Sequence, residues 1–152
     1  MKIFTDYLFK IISTVTFFLL LNACSDFPKD PRNSLENAKA TGLKVGVALN
    51  QSFTIFEDSV LSGSEIDLIR EFARRNNLDV NFTIASESEL ISKLEKYDLH
   101  IAAGGFSKKT IWSRKVGTTL AYDGSHVLLI PKGENALVTE LERHFLKETA
   151  GK

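Results

Sequence analysis

The stretch His100–Trp112, HIAAGGFSKKTIW, decides how the rest of the chain is read. It begins as a buried strand through Ile101 and two alanines. At Gly104 and Gly105 it opens into backbone without side chains, then passes Ser107, Lys108 and Lys109 to Trp112, the sole tryptophan. Such a strand end is either a tight turn, which also favours glycine, or a place where bare backbone N–H groups meet something outside the strand. The flanking sequence has to decide.

Upstream, LKVGVAL (Leu43–Leu49) and LDVNFTIA (Leu78–Ala85) are β-branched, apolar runs of the kind found in buried parallel strands. Between them Ser62 and Glu65 fit a capping box, and Ile66, Ile69 and Ala73 recur at helical spacing with Leu68 and Phe72 alongside. RRNN supplies the cations and asparagines favoured at a helix C-terminus. Ser86 and Glu89 open a second, shorter helix along Leu90, Ile91 and Leu94, ending near Tyr97. The segment 50–63 is a loop with a short strand at Phe53–Phe56, and 107–115 is a short irregular or single-turn segment. SHVLLIPKG (Ser125–Gly133) is a further strand stopped by Pro131, and 134–148 is a terminal helix with Leu137, Leu141 and Phe145 on one stripe. The order β-α-β-α-β predicts an α/β fold: a mostly parallel sheet with right-handed crossovers and helices on both faces. Ligands of such sheets lie beyond the carboxyl ends of the strands, at the switch point. Three loops should gather there: 50–56, 85–88 and 104–112.

The chain has 152 residues, 43% of them apolar and 25% charged, with a formal net charge of zero. One domain is expected, and bulk charge gives no case for nucleic acid or an anionic membrane surface. A single cysteine excludes an intramolecular disulfide. After Lys2 and Lys10 comes the apolar run Ile11–Leu21, too short to span a bilayer core of ~30 Å and suited to a secretory signal. LNAC (Leu21–Cys24) follows it and resembles the lipobox of bacterial lipoproteins. That resemblance implies a signal peptide over 1–23 and acyl chains such as palmitate on Cys24. The protein would then be held on a membrane at the periplasmic side of a bacterial envelope, inner or outer membrane being left open. Residues 24–41, polar with two prolines, read as a tether ending in a short helical piece near Leu35–Ala40, and 42–152 as the folded lobe.

Several spaced pieces resemble the first lobe of the family 3 extracellular solute-binding proteins, the receptors of amino acid ABC transporters. They are LKVGV, GSEIDLIREFARRNNLDVNF with Gly63 and Asp67 at matching places, ELISKLEKYDLHIAAGG, and VGTTLAY followed by VLLIPKG. The N-terminal module of membrane-bound lytic transglycosylases is similar. The resemblance implies one lobe of a periplasmic-binding-protein type II fold, non-enzymatic binding of a small polar, amino-acid-like solute, and an ABC permease as partner. A single lobe that has lost transport to become an envelope interaction or sensory module is the alternative, its open cleft face covered by a partner or by a second copy in a homodimer. The chain departs from the family at His100, where an aspartate is common, and at Ala121, where a proline is. Ile111 and Trp112 stand where many members carry a Glu-Arg pair that grips the ligand carboxylate.

The candidate ligand-binding residues are Phe53 and Phe56, which would stack on the solute or belong to the core; Gly104 and Gly105; Ser107, at the family's ligand-touching Ser/Thr position; and Trp112, a stacking wall or a plug. Lys108, Lys109 and Arg114 are the cations that could stand in for the missing arginine, although the two lysines read first as solvated. Asp67 reads as a helix-terminal charge and His100 as a satisfied strand histidine. His126 and His144 have no partners at metal-ligand spacing. No catalytic constellation, metal motif or cofactor fingerprint is present.

Overall fold

The computed structural model describes residues 30–150. The signal segment and Cys24 lie outside the described residues. The elements are α1 (Ser34–Thr41), β1 (Leu43–Val47), β2 (Ile55–Glu57), β3 (Val60–Ser62), α2 (Ser64–Arg75), β4 (Val80–Ile84), α3 (Glu87–Glu95), β5 (Ile101–Ser107), a 3-10 turn (Ile111–Arg114), β6 (Gly117–Thr118), β7 (His126–Ile130) and α4 (Asn135–Ala150).

The main sheet has the order β4-β1-β5-β7-β6. β1 pairs in parallel with β4 on one side and β5 on the other. β7 is antiparallel to both β5 and β6, so it alone runs against the rest. Helices cover both faces, and strand alternation explains how. Ile101 and Ala103 of β5, with Leu128 and Ile130 of β7, join Ile66, Ile69 and Phe72 of α2 and Leu137, Leu141 and Phe145 of α4 in one core. Their strand neighbours Ala102, Val127 and Leu129 point the other way and meet Leu90, Ile91 and Leu94 of α3. The α/β class and the parallel β1–β4–β5 unit are as expected.

Four local expectations need correction. The Ser62–Glu65 capping box does not form: α2 begins at Ser64, and Gly63, at φ 118, is its N-cap without a side-chain hydrogen bond. A Cβ at Gly63 would lie 2.3 Å from the Phe53 carbonyl oxygen, so only glycine lets the β1–β2 loop pass this closely. The strand placed at Phe53–Phe56 is instead β2, starting at Ile55 and forming a hairpin with β3. β5 continues to Ser107, so the Gly-Gly pair lies inside a strand, at an irregularity in its pairing with β7 between Ala102 and Phe106. Finally, residues 30–41 are not a free tether. α1 buries Ser34 and Ala38, and the Glu134 carboxylate accepts hydrogen bonds from the Arg32 and Ser34 backbone N–H groups, each at 2.8 Å. The second capping box does form, with Ser86 Oγ accepting from the Glu89 N–H at 3.4 Å.

Candidate functional site

The sheet reverses its winding between β1 and β5: β4 lies to one side of β1, and β5 and β7 to the other. The carboxyl ends of the three parallel strands therefore meet in one edge, and the segments that follow β1 and β5 touch there. The β1–β2 loop is locked on itself, with the Thr54 hydroxyl donating to the Ala48 carbonyl at 2.6 Å while accepting from the Asn50 N–H at 2.9 Å. It is tied to β5 by Asn50 Nδ2 donating to the Gly104 carbonyl at 3.1 Å.

The Gly104 and Gly105 N–H groups do not face the edge unoccupied, as a ligand-binding reading of them requires. Both donate to Glu65 Oε2, at 2.6 and 2.9 Å, and the Tyr122 hydroxyl donates to Glu65 Oε1 at 2.7 Å. Glu65 is completely buried. Burial pushes its carboxyl above the ordinary value, against the pull of Tyr122, the two glycine N–H groups and the nearby His126. Tyr122 is raised in turn, by burial and then by its hydrogen bond to Glu65, and so remains a donor at neutral pH. Gly105, at φ 70, lies beneath the Phe53 ring, whose Cδ2 would be 2.4 Å from an added Cβ.

Phe53 packs on His126 with ring centroids 4.4 Å apart, and Tyr122 stacks on the same imidazole at 6.4 Å. His126 Nδ1 is paired with Asp123 Oδ2 at 2.7 Å. Burial alone would raise Asp123, but the His126 and Ser125 N–H groups and the imidazole together hold it below its usual value. Phe53, Gly105, Tyr122, His126 and Asp123 thus form a continuous aromatic and polar group at the edge. Ser107 is exposed, pairs in register with His126, and accepts the Lys109 N–H at 3.1 Å. Trp112, half-buried, donates from Nε1 to Glu87 Oε2 at 3.1 Å, bridging the start of α3 and the 3-10 turn. Phe56 is carried on the hairpin with its ring exposed. Lys108 Nζ donates to the Gly124 carbonyl at 2.7 Å, and Lys109 and Arg114 are exposed.

A family model, bacterial extracellular solute-binding proteins, family 3, matches residues 43–150, which is most of the chain. The chain belongs to the family 3 solute-binding proteins. It is 29% identical over 124 residues to a probable histidine-binding protein of Campylobacter jejuni, covering 80% of this chain and 48% of that one. It is 36% identical over 100 residues to membrane-bound lytic murein transglycosylase F 2 of Alkalilimnicola ehrlichii, covering 63% of this chain and 22% of that one. The chain therefore spans about half, or less, of the length of these curated relatives. In fold it matches the arginine-bound form of domain 1 from TmArgBP, the ArgBP of T. maritima, with a TM-score of 0.67 and 19% identity over 73% of this chain and 97% of that one. It also matches an amino acid ABC transporter substrate-binding protein from Streptococcus pneumoniae bound to L-arginine, with a TM-score of 0.69 and 10% identity over 78% and 92%. These likenesses bear out the single binding-protein lobe expected of a family 3 member.

Sequence reasoning missed Glu65, Tyr122, His126, Asp123 and Asn50. A signal for Glu65 existed: it shares a helical stripe with Ile69 and Ala73, both buried. An acid on an apolar stripe needs buried partners.

Proposed function

We propose that this lobe binds a small polar, amino-acid-like solute at the carboxyl edge of β4, β1 and β5, without covalent chemistry. The observation that carries the proposal is the convergence of Phe53, Gly105, Ser107 and His126 at the switch point of a family 3 fold. The names of the relatives that bind histidine or arginine support the amino-acid class. Phe53 and Trp112 are the aromatic walls of the site, Ser107 its hydroxyl and Phe56 a rim contact. Gly105 shapes the floor by admitting the Phe53 ring, and Gly104 reaches the site through its carbonyl contact with Asn50. In this reading Cys24 carries the lipid anchor, residues 1–23 are removed as a signal peptide, and the lobe faces the periplasm beside an ABC permease.

The test is a thermal-shift and calorimetric screen of the purified protein against the amino acids and small polyols. A saturable stabilisation by at least one compound is expected. Flat melting curves across the panel would sink the proposal. The alternative, an envelope interaction or sensory lobe, is favoured by one observation: Leu49, Ile84 and Ile111, which follow or end the three parallel strands, are 53%, 40% and 82% exposed. A concentration-dependent dimer in sedimentation, together with flat melting curves, would favour that reading.

A further inference from the structure

We propose that the Gly104 N–H, the Gly105 N–H and the Tyr122 hydroxyl form a carboxylate-binding cradle that Glu65 fills from within, closing the cleft floor to a solute's own carboxylate. The cradle does not depend on the solute-binding reading; its consequence for the solute does. Three donors converge on the two oxygens of one group, at 2.6, 2.9 and 2.7 Å. Two backbone N–H groups meet Oε2 and one hydroxyl meets Oε1, an arrangement that suits a carboxylate, while the hydroxyl can turn to accept when the group opposite it carries a proton.

The donors come from separate parts of the chain, and the backbone is shaped around the group they hold. Gly104 and Gly105 lie where the β5–β7 pairing is irregular, with Gly105 at φ 70. α2 delivers Glu65 to this point through its own N–H, which donates to the Phe53 carbonyl at 3.2 Å. The cradle is thus complete without a solute. The Gly104 and Gly105 backbone donors of β5 are taken by Glu65. The solute group that meets this floor is therefore neutral or cationic, lying against Phe53, His126 and Asp123.

The test vacates the cradle. In Glu65→Ala the three donors remain and the carboxylate is gone, so acetate, a carboxylate small enough to enter, should raise the melting temperature in proportion to the logarithm of its concentration. Sodium chloride at equal ionic strength should not, and neither wild type nor Glu65→Gln should respond to acetate. The amide resonances of Gly104 and Gly105 should shift on acetate addition to Glu65→Ala. A folded Glu65→Ala indifferent to acetate overturns the proposal.

If Glu65→Ala does not fold, wild type and Glu65→Gln decide. In wild type the Gly104 and Gly105 amide shifts should follow one titration shared with the Glu65 carboxyl carbon. The other titratable groups facing it are Tyr122 and His126, with Asp123 behind the imidazole. That titration should vanish in Glu65→Gln. Amide shifts that ignore the Glu65 carboxyl overturn the proposal. A flat amino acid screen would sink the solute-binding reading and leave the acetate result standing.

Discussion

A carboxyl group that is fully buried and accepts three hydrogen bonds balances desolvation against those bonds, and at Glu65 desolvation prevails, holding it above the ordinary carboxylate value. The sign of the consequence follows from linkage. A group whose folded-state value lies above its unfolded one favours the fold while protonated. That contribution is present below the ordinary carboxylate range and is lost as pH rises through the raised value. Glu65→Gln cannot ionise, so through the range above the ordinary carboxylate value its stability should fall less steeply with rising pH than that of wild type. Urea midpoints measured across that range check this, and parallel curves would contradict it. The neighbouring Gly105 gives a second prediction. At φ 70, and with the Phe53 ring 2.4 Å from the site of a Cβ, Gly105→Ala combines backbone strain with displacement of the ring. It should lower unfolding stability by about 1–3 kcal/mol at neutral pH, read by denaturant unfolding.

Two helices begin beside one another and exchange caps. Asp30 Oδ1 accepts the Ala136 N–H of α4 at 2.7 Å, while Glu134 accepts the Arg32 and Ser34 N–H groups at the start of α1. Each carboxylate thus satisfies donors that a helix terminus leaves open. Glu134→Ala removes the acceptor for two of them and should cost about 1–3 kcal/mol, with faster hydrogen exchange along α1 than along α2. An unchanged α1 would mean that its packing alone holds it. This pairing explains why residues 30–41 read as a tether. Asn33, the residue preceding α1, makes no side-chain cap, and the capping carboxylate stands 100 residues from Ser34. The β2–β3 hairpin was hidden for a different reason. Its turn places Asp58 and Ser59 at φ 49 and 65, a left-handed geometry usually signalled by glycine or Asn-Gly. α2, α3 and α4 were legible because their regularly spaced apolar residues are the ones the two cores bury, such as Ile69 and Phe72, Leu90 and Leu94, and Leu137 and Leu141.

At the scale of the molecule, the strand and helix order was sufficient to place three strand ends together, because a parallel β-α-β-α-β unit has one common hand. The residues that fill that edge were only half legible. Phe53, Gly105 and Ser107 lie in segments whose position follows from the topology. Glu65 and Tyr122 meet them only through hydrogen bonds between residues 40 to 57 positions apart, which no local pattern announces. The same geometry makes the sole tryptophan a reporter. Trp112 is half-buried, and its indole is fixed to Glu87 across the edge, between the segments that follow β4 and β5. A solute seated at the strand ends changes the solvation of that ring or the Glu87 contact, so its binding should alter tryptophan emission saturably, with the same midpoint as calorimetry. Phe53→Ala should abolish both signals, since Phe53 roofs Gly105 and packs on His126. Glu87→Gln should shift the baseline emission and leave the binding midpoint within about threefold, because it alters a wall contact whose contribution to affinity is that of one exposed hydrogen bond. A compound that binds by calorimetry yet leaves Trp112 emission unmoved occupies some other surface, and the carboxyl edge of the sheet is then not where this lobe works.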